Sequence, residues 1–339
     1  MALSLALISY FLPPYVYTLA QWDIGSVALV VAHTLQRTAA RPYDAYFLGS
    51  SQIAQVHPGM LSNQTGKSVF VSCIPGGDIS YMLAMSRAIA DRSAAPPLIV
   101  AEFSRYVASD IESYVYRDAL EFIPGQYWAR AELPAAIHSP LYRNYYGQGM
   151  LNSLLPFVRY RESIKALAIT TTPVLATCIL SDPSRPKVVR CNRISDDGHG
   201  GPYPHLPPPY QPCPTQVRPA LSADKEHCWR QLLALHRQGV IRLVLFIPPF
   251  HSSWRPYYDM LYHGTNSPVA ALLREFCAAG VPQLDCSMIT MTDDDCMDAH
   301  HFSLSGMTKL AQYVATNLNM RAGGATPAPA AAPHAGSVP

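Results

Sequence analysis

Charge is scarce in this chain. Charged residues make up 14% of its 339 positions, against roughly 25% in ordinary soluble domains. The 25 Lys and Arg nearly balance the 23 Asp and Glu, so there is no basic footprint and no nucleic-acid partner is expected. Also lacking is any C-x-x-C pair or zinc-like spacing among the eight cysteines, and no structural metal is expected. No Lys or Arg precedes the apolar N-terminal run, as it would in a secretory signal. No internal repeat is visible.

What is present is apolar and rich in proline. Hydrophobic residues reach 49%, enough for a sizeable core and too many for a disordered chain. The 31 prolines are about 9% of the chain, nearly twice the usual share of about 5%. Residues 1–22 (MALSLALISYFLPPYVYTLAQW) carry no charge. They are long enough to cross a bilayer, although Pro13-Pro14 would kink a helix there. They are expected to be a membrane anchor or uncleaved signal, with the rest of the chain periplasmic or extracytoplasmic. Cys191 and Cys213 bracket a Pro/Gly-rich stretch and are expected to be bridged in an oxidising compartment.

Along the chain, short apolar runs alternate with helical patterns. Residues 23–36 have helical spacing. Strands are predicted at 45–48, 68–73, 98–103, 241–247 and 283–286, and helices after Asp78, over 269–279 and over 304–320, the last capped by Ser303. This alternation predicts a three-layer α/β/α sandwich on a five-stranded parallel sheet. The stretch 109–219, rich in Tyr and Pro, reads as an insertion over one end of the sheet, and 321–339 as a disordered tail.

Three places stand where a parallel sheet puts its reactive groups, at the carboxyl ends of strands. Gly49-Ser50-Ser51 ends the first, where a serine meets exposed N–H groups. Gly76-Gly77 follows the second, where glycine lets N–H groups approach a ligand. Asp298-Ala299-His300-His301 precedes the last helix, where a carboxylate three residues before a histidine can orient its ring as a base. Singly, each also reads as an ordinary turn or polar loop, and Asp293-Asp294-Asp295 supports that plainer account of the third. His251, after the fourth strand, reads as a substrate contact or a solvated loop residue. Glu102 reads as a hydrogen-bonding or cap residue more readily than as a catalytic acid.

Taken in order, these blocks resemble the SGNH (GDSL-type) hydrolase superfamily, over about residues 23–108 and 238–320. The segments YFLGSSQIAQVHP and DAHHFSLSG look most similar to its membrane-anchored envelope branch of D-alanyl transfer and polysaccharide O-acyltransferase-like proteins. The resemblance implies a flavodoxin-like fold and a catalytic set of Ser51, His301 and Asp298. It also implies an oxyanion site using the N–H groups of Ser51 and of Gly76 or Gly77. It implies esterase or acyltransferase action on an acylated glycan or small acyl ester, without a cofactor, beside a membrane-bound acyl-transfer partner. One departure stands out. The family's third block carries an Asn that donates to the oxyanion, whereas this chain reads Glu102-Phe103-Ser104-Arg105. Ser104 or Arg105 substitutes for it, or two backbone donors suffice, or the chain is a catalytically inactive scaffold or polysaccharide-binding protein.

Overall fold

A computed structural model of the chain describes residues 34–74, 77, 79–108, 220–296 and 301–322, with backbone alone at 106, 224 and 319–322. Five strands form one sheet: β1 (Ala45–Gly49), β2 (Val69–Cys73), β3 (Leu98–Glu102), β4 (Arg242–Ile247) and β5 (Gln283–Asp285). Their order is β2-β1-β3-β4-β5, and every pairing is parallel. The fold is the expected three-layer α/β sandwich. The observed strand limits lie within one residue of the predicted ones.

Every residue of β1, β2 and β3 is buried, because helices cover both faces, and the strands are therefore continuous apolar runs rather than alternating ones. Successive residues still point to opposite sides. Tyr46 and Leu48 of β1 join Ile99, Leu243, Met82, Trp229 and Phe276 in one core. Phe47 joins Val71, Val100, Val244, Phe246, Leu61, Leu310 and Val314 in the other. Trp229 is wholly buried, and truncating a residue so placed commonly costs about 3–5 kcal/mol.

Residues 34–40 form α1. The remaining helices are α2 (Pro58–Thr65), α3 (Ile79–Ala90), the single turn α4 (Arg105–Ala108), α5 (Ala223–Arg237), α6 (Arg255–His263), α7 (Pro268–Ala278) and α8 (Leu304–Ala322). Their ends follow local chemistry. Ser267 caps α7 by accepting from the Ala270 N–H at 3.2 Å, Pro268 occupies the first turn, and Gly280 leaves it at φ 78°, where glycine alone is unstrained.

Besides the single turn α4, three helices were not apparent in the sequence. The apolar face of α6 is Tyr257, Tyr258, Leu261 and Tyr262, so its hydrophobic side is written largely in tyrosine. In α2 only Pro58 and Leu61 are buried. The polar helix α5 lies beyond the long break in the pattern. At the other end, α8 runs to Ala322, two residues into the stretch expected to be disordered.

Residues 1–22, the 109–219 insertion, Cys191, Cys213 and the Asp78 cap lie outside the described residues. Among the described residues no helix is long and apolar enough to cross a membrane. Cys73, Cys228, Cys277, Cys286 and Cys296 are free thiols, all but Cys277 buried.

This topology decides where a site can form. The chain leaves β1 toward β2 on one side, then returns to place β3 on the other. Connections from β1 and β3 therefore diverge, opening a crevice at their carboxyl ends. Ser50 and Ser51 follow β1, and Glu102 closes β3.

Candidate active site

Gly49 ends β1 against the Glu102 side chain. A Cβ there would lie 2.6 Å from Glu102 Cβ and closer still to Oε2, so only glycine admits the carboxyl beneath the turn. That carboxyl is fully buried. It accepts the Ser50 N–H at 2.6 Å and the Ile53 N–H at 3.2 Å on Oε2, and the Ser50 hydroxyl at 2.7 Å on Oε1. Burial pushes the carboxyl above its ordinary range, while the hydroxyls of Ser104 and Ser50 and the two N–H groups pull it back. Ser50 is buried with its hydroxyl turned inward to Glu102, away from any substrate.

Ser51 is different. It is half-buried, and its Oγ lies 3.0 Å from His301 Nε2, across 250 residues of chain. Two features bring His301 there. Cys296 and Phe302 pair as an antiparallel bridge just before α8. The buried Gln55, in the 3₁₀ turn Ile53–Gln55, accepts the Phe302 N–H on Oε1, which ties the serine turn directly to the residue after His301.

The start of α8 is held just as firmly. Asp295 is buried and binds Lys309 Nζ at 2.6 Å, the Thr292 N–H at 3.1 Å, and the hydroxyls of Thr292 and Ser305, both at 2.9 Å. Burial alone would raise its pKa. The Lys309 ammonium and these hydrogen bonds outweigh that and hold the carboxyl well below the usual carboxylate range. The acidic run read as a plain polar loop therefore contains an anchor. Neither Gln55 nor Asp295 carried a sequence signal, because a buried polar residue in an irregular turn leaves no periodicity.

Other candidates fall elsewhere. Asp298 and Gly76 lie outside the described residues. Gly77 does not serve as an oxyanion donor, since its N–H is bonded to the Ile74 carbonyl at 2.8 Å. Its bare Cα instead allows close packing, and a Cβ would meet Gly49 O at 3.1 Å. Ser104 is fully buried beside Glu102, so its surface is closed to a substrate, and its Oγ makes no hydrogen bond of ordinary geometry. His251 does not face a ligand with a free ring. Its Nδ1 lies 2.7 Å from Ser253 Oγ and also accepts the Ser253 N–H at 3.3 Å, while its Nε2 lies 2.7 Å from Asp293 Oδ1. That places Nδ1 as the acceptor and the proton on Nε2.

Among the described residues no group of His, Cys, Asp and Glu is arranged to hold a metal ion. Compared with protein-family models and with curated proteins, the chain matches none.

What the arrangement offers chemically is one pair: a hydroxyl within hydrogen-bond reach of an imidazole nitrogen, at the switch point of a parallel sheet. With Nε2 unprotonated, that ring can take the Ser51 proton as the oxygen attacks an electrophile.

Proposed function

We propose that the chain is a serine-dependent esterase or acyltransferase of the SGNH type, working through an acyl-enzyme. The observation that carries this reading is the 3.0 Å contact between Ser51 Oγ and His301 Nε2, at the position where α/β sheets bind ligands. Ser51 Oγ attacks an ester carbonyl carbon, and its proton passes to His301 Nε2. The tetrahedral intermediate collapses, and the leaving alcohol takes that proton. Water or an acceptor hydroxyl, deprotonated by Nε2, then attacks the acyl-serine and releases the acid or a new ester.

Asp298, three residues before His301, is the group proposed to orient the ring. The Ser51 N–H is the proposed oxyanion donor. By resemblance alone, the substrate class is an ester-linked acyl group on an envelope glycan, with residues 1–22 holding the domain at a membrane.

A second reading, an inactive scaffold of the same fold, is favoured by the engaged Gly77 N–H and by the absence of an Asn at the end of β3. A fluorophosphonate probe separates the two, because it reacts only with an activated serine. A covalent adduct mapped to the peptide carrying Ser51 supports the acyl-enzyme. Folded protein that stays unlabelled at saturating probe selects the scaffold.

A further inference from the structure

We infer that Glu102 is the positioning residue of the Ser51 turn: its carboxyl holds the Ser50 and Ile53 N–H groups and the Ser50 hydroxyl that accepts from Gln52, and leaves the Ser51 N–H as the one open to a ligand. The inference deepens the acyl-enzyme reading and rests on Ser51 being the nucleophile.

The donors of the turn can be followed one by one. The Ser50 N–H goes to Glu102 Oε2 at 2.6 Å. The Gln52 N–H goes to Ser50 Oγ at 3.3 Å, a hydroxyl itself held by Glu102 Oε1 at 2.7 Å. The Ile53 N–H reaches Glu102 Oε2 at 3.2 Å and the Ser50 carbonyl at 3.1 Å. Of the four N–H groups from Ser50 to Ile53, only that of Ser51 makes no hydrogen bond among the described residues. A backbone donor left over in a half-buried turn, on the residue whose hydroxyl meets an imidazole, is where an oxyanion would bind.

The carboxyl suits this task through its chemistry and its place. A carboxylate is an acceptor with about four lone-pair sites, and so it can draw several convergent donors to one point. Its strand is next to β1 at the switch point, where Leu48 pairs with Ala101, so Glu102 follows immediately beneath the turn. Gly49 leaves the space it needs. Glu102 is fully buried and bonds to Ser50 rather than Ser51, so it is not a catalytic residue. It acts through the turn.

The test uses the full chain and two readouts. In ¹⁵N-labelled wild-type protein, amide hydrogen exchange should be slow at Ser50 and Ile53 and fast at Ser51. Comparable exchange at all three overturns the inference, whether or not the protein is an enzyme. The second readout is the kinetics of fluorophosphonate labelling, resolved into probe binding and the maximal rate of adduct formation. Glu102→Gln keeps an amide oxygen for both N–H bonds and should hold that maximal rate within about threefold. Glu102→Leu removes every acceptor and should lower it at least about tenfold in the folded protein, with probe binding little changed. Gly49→Ala, which displaces the same carboxyl from the other side, should act like Glu102→Leu, and the two together should not add. If Glu102→Gln is as slow as Glu102→Leu, the carboxyl acts by its charge and the positioning role is wrong. If Ser51→Ala is still labelled, it is the nucleophile assignment that fails, while the exchange pattern still decides on Glu102.

Discussion

Among the described residues two serines bond to a histidine ring, Ser253 and Ser51, and they reach it by different routes. Ser253 lies two residues from His251 and meets its Nδ1 through both its hydroxyl and its N–H. Ser51 lies 250 residues from His301 and meets Nε2 through the hydroxyl alone. At β4 the serine N–H belongs to the ring, and the other ring nitrogen belongs to Asp293. At β1 the serine N–H makes no hydrogen bond among the described residues, while Glu102 accepts the N–H groups of Ser50 and Ile53. The first arrangement is a helix cap, in which each donor has a local acceptor. The second brings a hydroxyl to an imidazole nitrogen beside a backbone N–H that makes no hydrogen bond among the described residues. A serine–histidine contact therefore says little by itself, and what distinguishes a site is where the remaining donors go.

The largest expected effect breaks the two serines apart. Ser51→Ala should abolish covalent labelling, and loss of a nucleophile can cost up to about 10⁶-fold. Ser253→Ala, measured the same way, should leave the labelling rate unchanged. Ser50→Ala should cost far less than Ser51→Ala. The opposite order would move the nucleophile to Ser50.

The histidines come next. His301→Ala should slow labelling severely, by up to about 10⁶-fold, with the fold intact by circular dichroism. His251→Ala should leave the rate alone and lower thermal stability by about 1 kcal/mol, the usual worth of a lost cap. A rate loss in His251→Ala would mean that the β4 loop reaches the reacting groups after all.

A smaller effect belongs to the tie between the two loops. Gln55→Leu leaves the Phe302 N–H without its acceptor, a loss of about 1–3 kcal/mol in denaturant unfolding. It should also lower the labelling rate about tenfold by loosening His301. Stability that falls while the rate stays constant would make Gln55 a purely structural residue.

The smallest effect is a pH dependence. The Asp295 carboxyl titrates below its unfolded value of about 3.9. Its contribution to stability is therefore complete above that pH and is lost as pH falls through the folded value. The stability difference between wild type and Asp295→Asn should be full at neutral pH and shrink below about pH 4. A difference independent of pH would place its origin in packing.

The strands were legible in the sequence because burial on both faces writes an uninterrupted apolar run, as in Ala45–Gly49 and Leu98–Glu102. The last helix was legible from its spacing and from Ser303, and Ser51 and His301 were singled out only by a resemblance in the order of three weak blocks. The roles of Gly77 and His251 were not, since they depend on which acceptor each N–H or ring nitrogen meets in space. Glu102 looked like any acid at a strand end.

What the sequence alone determined is the set of buried strands and the presence of a serine and a histidine beyond their ends, since local hydrophobicity and turn chemistry are written residue by residue. Only the tertiary structure decided that Ser51 meets His301, that Glu102 lies beneath Gly49, and that Gln55 ties the two loops. The physical reason is that strand order places β3 beside β1, and hydrogen-bond partners dozens to hundreds of residues apart become neighbours only once both faces of the sheet are packed.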